Sequence, residues 1–346
     1  MQSFIKKNGV RKSLLPVLMS YFHNQRMKVK WKNQLSAQRD LPGGGPQGSS
    51  IGGIEYDSQS NDNTEFLAPE DKYKFVDDLS ILEIINLIAV GLIFYNFTQH
   101  VVSDVGIGQL FIPHENIQSQ TYMDNICNWT ENKEMKLNST KSKVMVFNFT
   151  HNYQFATRVH LDGSLLETIG ESRLLGSIVS SDLKWHSNSE ELTRKGCQRM
   201  TILRKLYEFN IPQEDLVLIY CSYIRSVLEF NSNVWFSSIS NEDRENIERV
   251  QQVACRIILK DDFKTYAEAL KTLNLQTLSN RRQMLALRFA EKCLKHDRFS
   301  DLFPLNDNPT RTRNQEKYSV KFANTGRLKD SAIPAMQRLL NRKTAK

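Results

Sequence analysis

No Cys-x-x-Cys pair occurs in this 346-residue sequence, and its five cysteines, Cys127, Cys197, Cys221, Cys255 and Cys293, are odd in number. That excludes a zinc ribbon built from this chain alone and argues against a disulfide framework. The seven histidines show no metal-ligand spacing, and His186 beside Trp185 reads as structural. An internal repeat is lacking, and so is a cleavable signal: Met1 to Arg11 is polar and basic, with no apolar core before a small-residue cleavage site. The expected location is therefore intracellular, nuclear or cytoplasmic, and not secreted. Long apolar runs are also missing. Ile81 to Phe97 is the most apolar stretch, yet it contains Glu83 and Asn86, and its uninterrupted run from Leu87 to Tyr95 is nine residues. A membrane span wants about 20. A buried strand or helix is expected there, with no membrane partner.

Hydrophobic residues make up 40% of the chain and charged residues 24%, enough apolar content to bury a core. The length suits two ordinary domains, or one large domain with appendages. The net charge of +8 is unevenly spread. Residues 1–40 hold 9 Lys/Arg against one acid, Asp40, and residues 306–346 hold 10 against three. The middle is therefore acidic between two basic ends. Phosphate-rich partners suit the ends and divalent cations suit part of the middle, although basic termini are also commonly just solvated tails.

Periodicity predicts a short helix over 10–23, entered or kinked at Pro16, and a half-exposed basic strand from Arg26 to Trp31. Gly43-Gly44-Gly45-Pro46 predicts a tight loop, and the polar stretch 54–71 a surface loop. Tyr73-Lys74-Phe75-Val76 and Leu79-Ser80-Ile81-Leu82 flank Asp77-Asp78, which predicts a hairpin. Beyond 186 the pattern turns helical. Leu192, Gly196, Met200, Leu203 and Tyr207 share one sector, with Arg194, Lys195, Arg199 and Lys205 beside it. A second helix is expected over 241–260, N-capped by Ser240 and striped by Ile247, Val250, Ala254, Ile257 and Ile258. Residues 212–236 and 278–296 read as helical too. After Asn306 no period is sustained, so the tail is expected to be irregular or docked by short pieces.

The acidic pair at a hairpin tip is chemically useful. Two neighbouring carboxylates suit a hard dication such as Mg²⁺ together with substrate phosphates, and two such ions clamp the attacking and leaving oxygens of an in-line phosphoryl transfer. Alone, Asp-Asp in a turn is more often merely solvated.

Here it has company. Phe75-Val76-Asp77-Asp78 resembles the aromatic-x-Asp-Asp hairpin of the reverse transcriptases of non-LTR (LINE-type) retrotransposons. Gly45-Pro46-Gln47-Gly48-Ser49 is similar to that family's Pro-Gln-Gly-Ser loop, which faces template and incoming nucleotide. Leu137-Asn138-Ser139-Thr140-Lys141, running on to Met145, resembles the segment following the catalytic hairpin. Arg173-Leu174-Leu175-Gly176, closing with Asp182-Leu183-Lys184-Trp185, resembles the primer grip. Tyr220 to Trp235, then Glu248-Arg249-Val250-Gln251, is similar to the thumb. The segments keep the family's order across about residues 10–300.

The resemblance implies an α+β fold: an incomplete polymerase palm, an antiparallel sheet with helices, over 1–185, a mostly helical thumb over 186–305, and a basic C-terminal tail over 306–346. It implies Asp77 and Asp78 as metal ligands for Mg²⁺ or Mn²⁺ and as catalytic residues with Lys141, whose charge would meet the departing pyrophosphate. Pro46, Gln47, Gly48, Ser49 and Phe75 would touch nucleotide and template, and Leu175 and Gly176 would grip the primer. Arg194, Lys195, Arg199 and Lys205 would follow the nucleic-acid backbone, positioning without reading sequence. The implied partners are an RNA template, a DNA primer or RNA–DNA hybrid, and deoxynucleotides.

Two features depart from the family. Its palm carries a third carboxylate on an earlier strand, yet the only acid before Pro46 is Asp40, in the run-up to the same loop. The fingers and first catalytic strand are thus expected to be missing. Gly52 and Gly53 also interrupt the helix expected after Ser49, each costing about 1 kcal/mol. The expected function is an RNA-directed DNA polymerase fragment that is inactive alone. The competing expectation is a polymerase remnant that binds nucleic acid without chemistry.

Overall fold

The computed structural model describes residues 20, 26–32, 34–40, 72–75, 78–81, 109–111, 118–132, 137–148, 154–156, 159–306, 317–323 and 325–344. The helix expected over 10–23 falls outside these except at Ser20, which is helical, and the loops at 43–46 and 54–71 and the apolar stretch 82–97 fall outside them entirely. The chain divides into two compact units, Met1–Val144 with Thr150–Thr168, and Met145–Phe149 with Ile169–Lys346. Helices and small sheets are mixed, consistent with an α+β class.

In the first unit the basic stretch at 26–31 forms two pieces rather than one strand. These are β1 (Arg26–Met27) and β2 (Lys30–Trp31), which pair antiparallel with β4 (Arg39–Asp40) and β3 (Gln34–Leu35). Between the pieces, the Val29 N–H donates to Ser36 Oγ at 2.9 Å in place of a ladder bond. Residues 26–30 are exposed, not half-buried, because Met27 and Val29 meet no apolar layer among the described residues. Next come β5 (Lys72–Phe75) and β6 (Asp78–Ile81), antiparallel, then β7 (Gln109–Phe111) and α1 (Gln118–Asn132).

The expectation of one antiparallel sheet meets a different arrangement. Every sheet among the described residues is two-stranded, and two pairings are parallel. β7 pairs with β9 (Gln154–Ala156), and β8 (Lys143–Val144) pairs with β12 (Glu167–Thr168). A parallel pair requires a crossover. α1 lies in the first, and the hairpin of β10 (His160–Leu161) and β11 (Ser164–Leu165) lies in the second. Val159, Leu161 and Leu166 bury here against Met123, Cys127, Leu137 and Val144. Gln120 on α1 clamps His160 through both its amide N–H and its carbonyl, at 2.7 and 3.1 Å.

The second unit opens with the hairpin β13 (Glu171–Leu174) and β14 (Ser177–Ser180), then is helical. α2 (His186–Glu208) buries Leu192, Gly196, Met200 and Leu203, the expected stripe. α3 (Gln213–Ile219) runs through a π-helical turn at Tyr220–Arg225 into α4 (Ser226–Leu228), and α5 (Ser232–Trp235) follows. α6 (Asn241–Leu259) starts at the expected cap, with Ser240 Oγ accepting from the Asp243 N–H at 3.0 Å. α7 (Tyr266–Thr272) and α8 (Leu278–Cys293) are each capped by a threonine, Thr265 and Thr277.

At Gly196, α2 comes close to its neighbours: a Cβ there would sit 2.8 Å from a Leu228 methyl and 3.1 Å from one of Val250. The main core gathers Leu216, Tyr220, Ile224, Leu228, Trp235 and Ile247 around that contact.

The region after Asn306 contains more order than its sequence suggests. Following α9 (Gly326–Lys329), α10 (Ala332–Thr344) buries Ala335, Met336 and Leu340 against Ala286, Ala290 and Cys293. Pro334, which breaks the apparent period, lies in the first helical turn, where its missing N–H has no intrahelical partner to lose. Asn341 holds the 317–323 segment by bonding both the N–H and the carbonyl of Tyr318, each at 2.9 Å.

Candidate nucleic-acid interface

The residues expected at the site are divided between the two units. In the first, Phe75 pairs with Asp78 in an antiparallel register, so two residues connect the strands. Those two, Val76 and Asp77, lie outside the described residues, as do Pro46, Gln47, Gly48 and Ser49. Asp78 is the first residue of β6.

Lys141 is exposed on a turn built by Asn138. The Asn138 amide oxygen accepts from the Thr140 N–H at 3.1 Å, from its hydroxyl at 2.6 Å and from the Lys141 N–H at 3.2 Å. An Asx turn of this kind satisfies backbone donors that would otherwise need a ladder. The Leu-Asn-x-x-Lys pattern thus has a local physical basis, with Asn138 setting the turn that presents Lys141. Two residues on, Lys143 pairs with Glu167 at 2.5 Å across β8 and β12.

In the second unit, Leu175 and Gly176 form the two-residue turn of β13–β14, with φ of 46° and 86°. Positive φ at both positions matches the right-handed twist of the flanking strands. Gly176 has a second reason to be glycine, since a Cβ would lie 2.9 Å from the Phe230 ring. The tip is fastened by Asn231, whose amide donates to the Leu175 carbonyl at 3.2 Å and to Ser177 Oγ at 3.0 Å. Leu174, Leu175 and Phe230 remain 44%, 48% and 45% exposed, so the tip carries an apolar surface on a rigid support.

The basic sector of α2 is largely engaged within the unit. Glu191 accepts from Arg194 at 2.6 Å and lies 3.1 Å from Lys195 and 3.2 Å from Arg173 on β13. The Arg194 hydrogen bond, with Lys195 and Arg173, pulls the Glu191 carboxyl down to about 2. Arg199 donates to the Tyr223 carbonyl in the π-helical turn and stacks over the Tyr223 ring at 4.3 Å. Lys205 and its neighbour Arg204 are exposed and form no ion pair among the described residues. Of the four cations expected to follow a backbone, one is therefore uncommitted. Glu191, three and four positions before Arg194 and Lys195, was the local signal for two of the pairings.

A cleft of about 720 Å³ opens beside this sector, and Glu190, Glu191 and Asp243 line it along with Arg194 and Arg249. His186 engages two of these acids: its Nδ1 lies 2.8 Å from Asp243 Oδ1 and its Nε2 lies 3.4 Å from Glu190. The hydrogen bond with Asp243 raises the His186 pKa. The Asp243 partner of His186 stands 57 positions away, and no local pattern announces it. Among the described residues no group of three or more His, Cys, Asp or Glu is placed to hold a metal, and no helix is long and apolar enough to cross a membrane.

No family model and no solved structure matches the chain. One curated protein does: a "Probable RNA-directed DNA polymerase from transposon BS" of Drosophila melanogaster, 22% identical over 293 residues that cover 81% of this chain. The chain is a distant relative of a transposon polymerase. The resemblance read from the ordered motifs is borne out at that level. The chain spans 29% of that polymerase's length, so what the whole relative does is not carried over with the similarity.

Proposed function

We propose that the chain is the palm remainder and thumb of a retroelement reverse transcriptase, acting on an RNA template, a DNA primer and deoxynucleotides. One observation carries the reading. In a relative of a transposon RNA-directed DNA polymerase, the strands 72–75 and 78–81 pair antiparallel with Phe75 opposite Asp78, the second aspartate of the pair. Two adjacent carboxylates supply hard oxygen donors, which fits a site completed by substrate phosphates. Asp77 and Asp78 would hold Mg²⁺ or Mn²⁺, which when bound offsets the charge of phosphoryl transfer. On the same reading Lys141 offers a mobile cation to the departing pyrophosphate, and Pro46 to Ser49 with Phe75 contact nucleotide and template. Leu175 and Gly176 present the primer grip. The functional divisions are palm over 1–185, thumb over 186–305 and a basic C-terminal region beyond, the hairpin of the grip lying in the helical compact unit.

The 346-residue chain is expected to be inactive alone, because positioning and electrostatics supply nearly all of this chemistry and it brings two of the three carboxylates the family's palm uses. Purified, it should give no primer extension on an RNA template with Mg²⁺ or Mn²⁺. Fusing a family-type fingers segment with its Asp-bearing strand ahead of residue 1 should restore extension, and Asp77→Asn in the fusion should abolish it. Robust synthesis by the unfused chain would overturn the missing-carboxylate reasoning. A folded, inert fusion that still binds an RNA–DNA hybrid would favour the non-catalytic binding remnant.

A further inference from the structure

The ends of α8 and α10 meet where Lys343 pairs with Glu291. Four more cations lie on the same two helix ends. Arg288, Lys292 and Lys295 follow one another at spacings of four and three, one face of a helix and the turn after it. Arg342 adjoins Lys343 in the last turn of α10. All five cations are exposed, and Arg288, Lys292, Lys295 and Arg342 form no ion pair among the described residues. Residues 288–295 and 342–343 together hold five cations and one acid, a net of +4, with Asp297 the next acid along the chain.

Helix ends explain part of this. The macrodipole favours cations in a last turn, by roughly 0.3–1 kcal/mol each, and Lys292, Arg342 and Lys343 sit in last turns. Arg288 does not: it is more than a turn from the end of α8, where that effect has faded. Apolar packing does not account for the charges either, because Ala286, Ala290 and Cys293 make the contact with Met336 and Leu340 on the other side. The neighbouring amide, Asn341, is not free to read bases, being buried and committed to Tyr318.

We propose that Arg288, Lys292, Lys295, Arg342 and Lys343 form a phosphate-backbone contact for duplex nucleic acid, separate from the α2 sector and indifferent to sequence. This rests on the polymerase reading above, which supplies nucleic acid as the polyanion. The contact should work as point charges, since flexible cations neutralise phosphates and release their counterions.

The test is binding of the full 346-residue chain to an RNA–DNA hybrid, by fluorescence anisotropy over a series of salt concentrations. Replacing Arg288, Lys292, Lys295 and Arg342 together by alanine should flatten the slope of log K against log salt by about 3 to 4, at about 0.9 per phosphate contact for B-form DNA. Glu291→Gln releases Lys343 and should act oppositely, tightening binding and steepening the slope by about 1. A misfolded variant would not produce that gain. An unchanged slope in both variants of a chain that binds hybrid would overturn this proposal and leave the polymerase reading standing. No binding of hybrid by the wild type would overturn both. Binding to phosphatidylserine vesicles that is lost in the quadruple variant, with hybrid binding intact, would assign the patch to a lipid surface instead.

Discussion

Replacing Gln251 with leucine should loosen the whole helical unit, because this fully buried amide joins three elements. Its Oε1 accepts from the Tyr220 hydroxyl at 2.7 Å, and its Nε2 donates to Tyr266 Oη at 2.7 Å and to the Gln276 carbonyl at 2.9 Å. Tyr266 in turn donates to Glu248, which accepts from the N–H groups of Leu278 and Ser279 in the first turn of α8 at 3.1 and 3.3 Å. Leucine fills a similar volume but leaves the Tyr220 hydroxyl buried without an acceptor. An orphaned buried group costs about 1–3 kcal/mol and each lost bond about 1, so the expected loss is about 2–4 kcal/mol. At an urea slope of about 2 kcal/mol per molar, the midpoint should fall by about 1–2 M. Far-ultraviolet circular dichroism is the suitable probe, since most described helices belong to this unit.

The decisive measurement is the double-mutant cycle. Tyr220→Phe alone strands the Gln251 oxygen and should also destabilise. Added to Gln251→Leu it removes the orphan hydroxyl and should recover about 1–2 kcal/mol, since replacing both partners by apolar groups is nearly neutral. Strict additivity, or a Gln251→Leu midpoint within error of wild type, would refute the network as a source of stability.

Two further predictions follow from geometry and charge. Gly176→Ala should cost about 1–2 kcal/mol and lower the melting temperature, since alanine must adopt φ near 86° and press on the Phe230 ring. Leu175→Asn, better suited to the left-handed region, should melt no lower than wild type. With pH, two groups act in opposite directions. His186 is raised in the folded state, so its contribution is full below about 6.5 and fades as pH rises through the folded value. Glu191 is lowered to about 2, so its contribution is full above 4.5 and fades as pH falls toward 2. Stability curves of His186→Gln and Glu191→Gln should therefore flatten on the alkaline and acid sides respectively. A curve of unchanged shape for either variant counts against that pair.

The helices were legible where spacing and capping agreed. Leu192, Gly196, Met200 and Leu203 bury as their period requires, and Ser240 caps α6 through Asp243, because both signals are local. The Asp162-Gly163 turn carried a hairpin signal of the same local kind, with φ of 51° and 72° at the two positions. What escaped depends on distance along the chain. α10 was hidden by Pro334, a residue whose effect depends on where in the helix it falls. The parallel pairings β7–β9 and β8–β12 join segments separated by other elements, and strands of two or three residues carry too little pattern to announce a partner. Within the site, the turn at Asn138 and the pairing of β5 with β6 were written in adjacent residues, although Asp78, expected at the tip, is the first residue of β6. The fates of Arg173 and Arg199 were settled by Glu191 and Tyr223 from other elements.

Pairing within the unit lowers the basic character it presents to a partner. Arg173, Arg194 and Lys195 converge on Glu191, whose side chain is 16% exposed, and Arg281 meets Glu229, 11% exposed, at 2.5 Å. Ion pairs set partly into the surface are screened by salt far less than exposed charges, for which the screening length is about 8 Å at physiological strength. Raising salt therefore attenuates the unpaired cations more than the Glu191 pairs, which are set in on the acid's side while Arg194 and Arg173 are 55% and 50% exposed. A salt titration of binding consequently weighs Arg204, Lys205 and the Glu291 cluster more heavily than Arg194 or Lys195. If Arg194→Ala changed the salt slope as much as Lys205→Ala, Glu191 would have to release its partner on binding. The acid-lined cleft beside it would then be exposed to phosphate, which its three carboxylates disfavour.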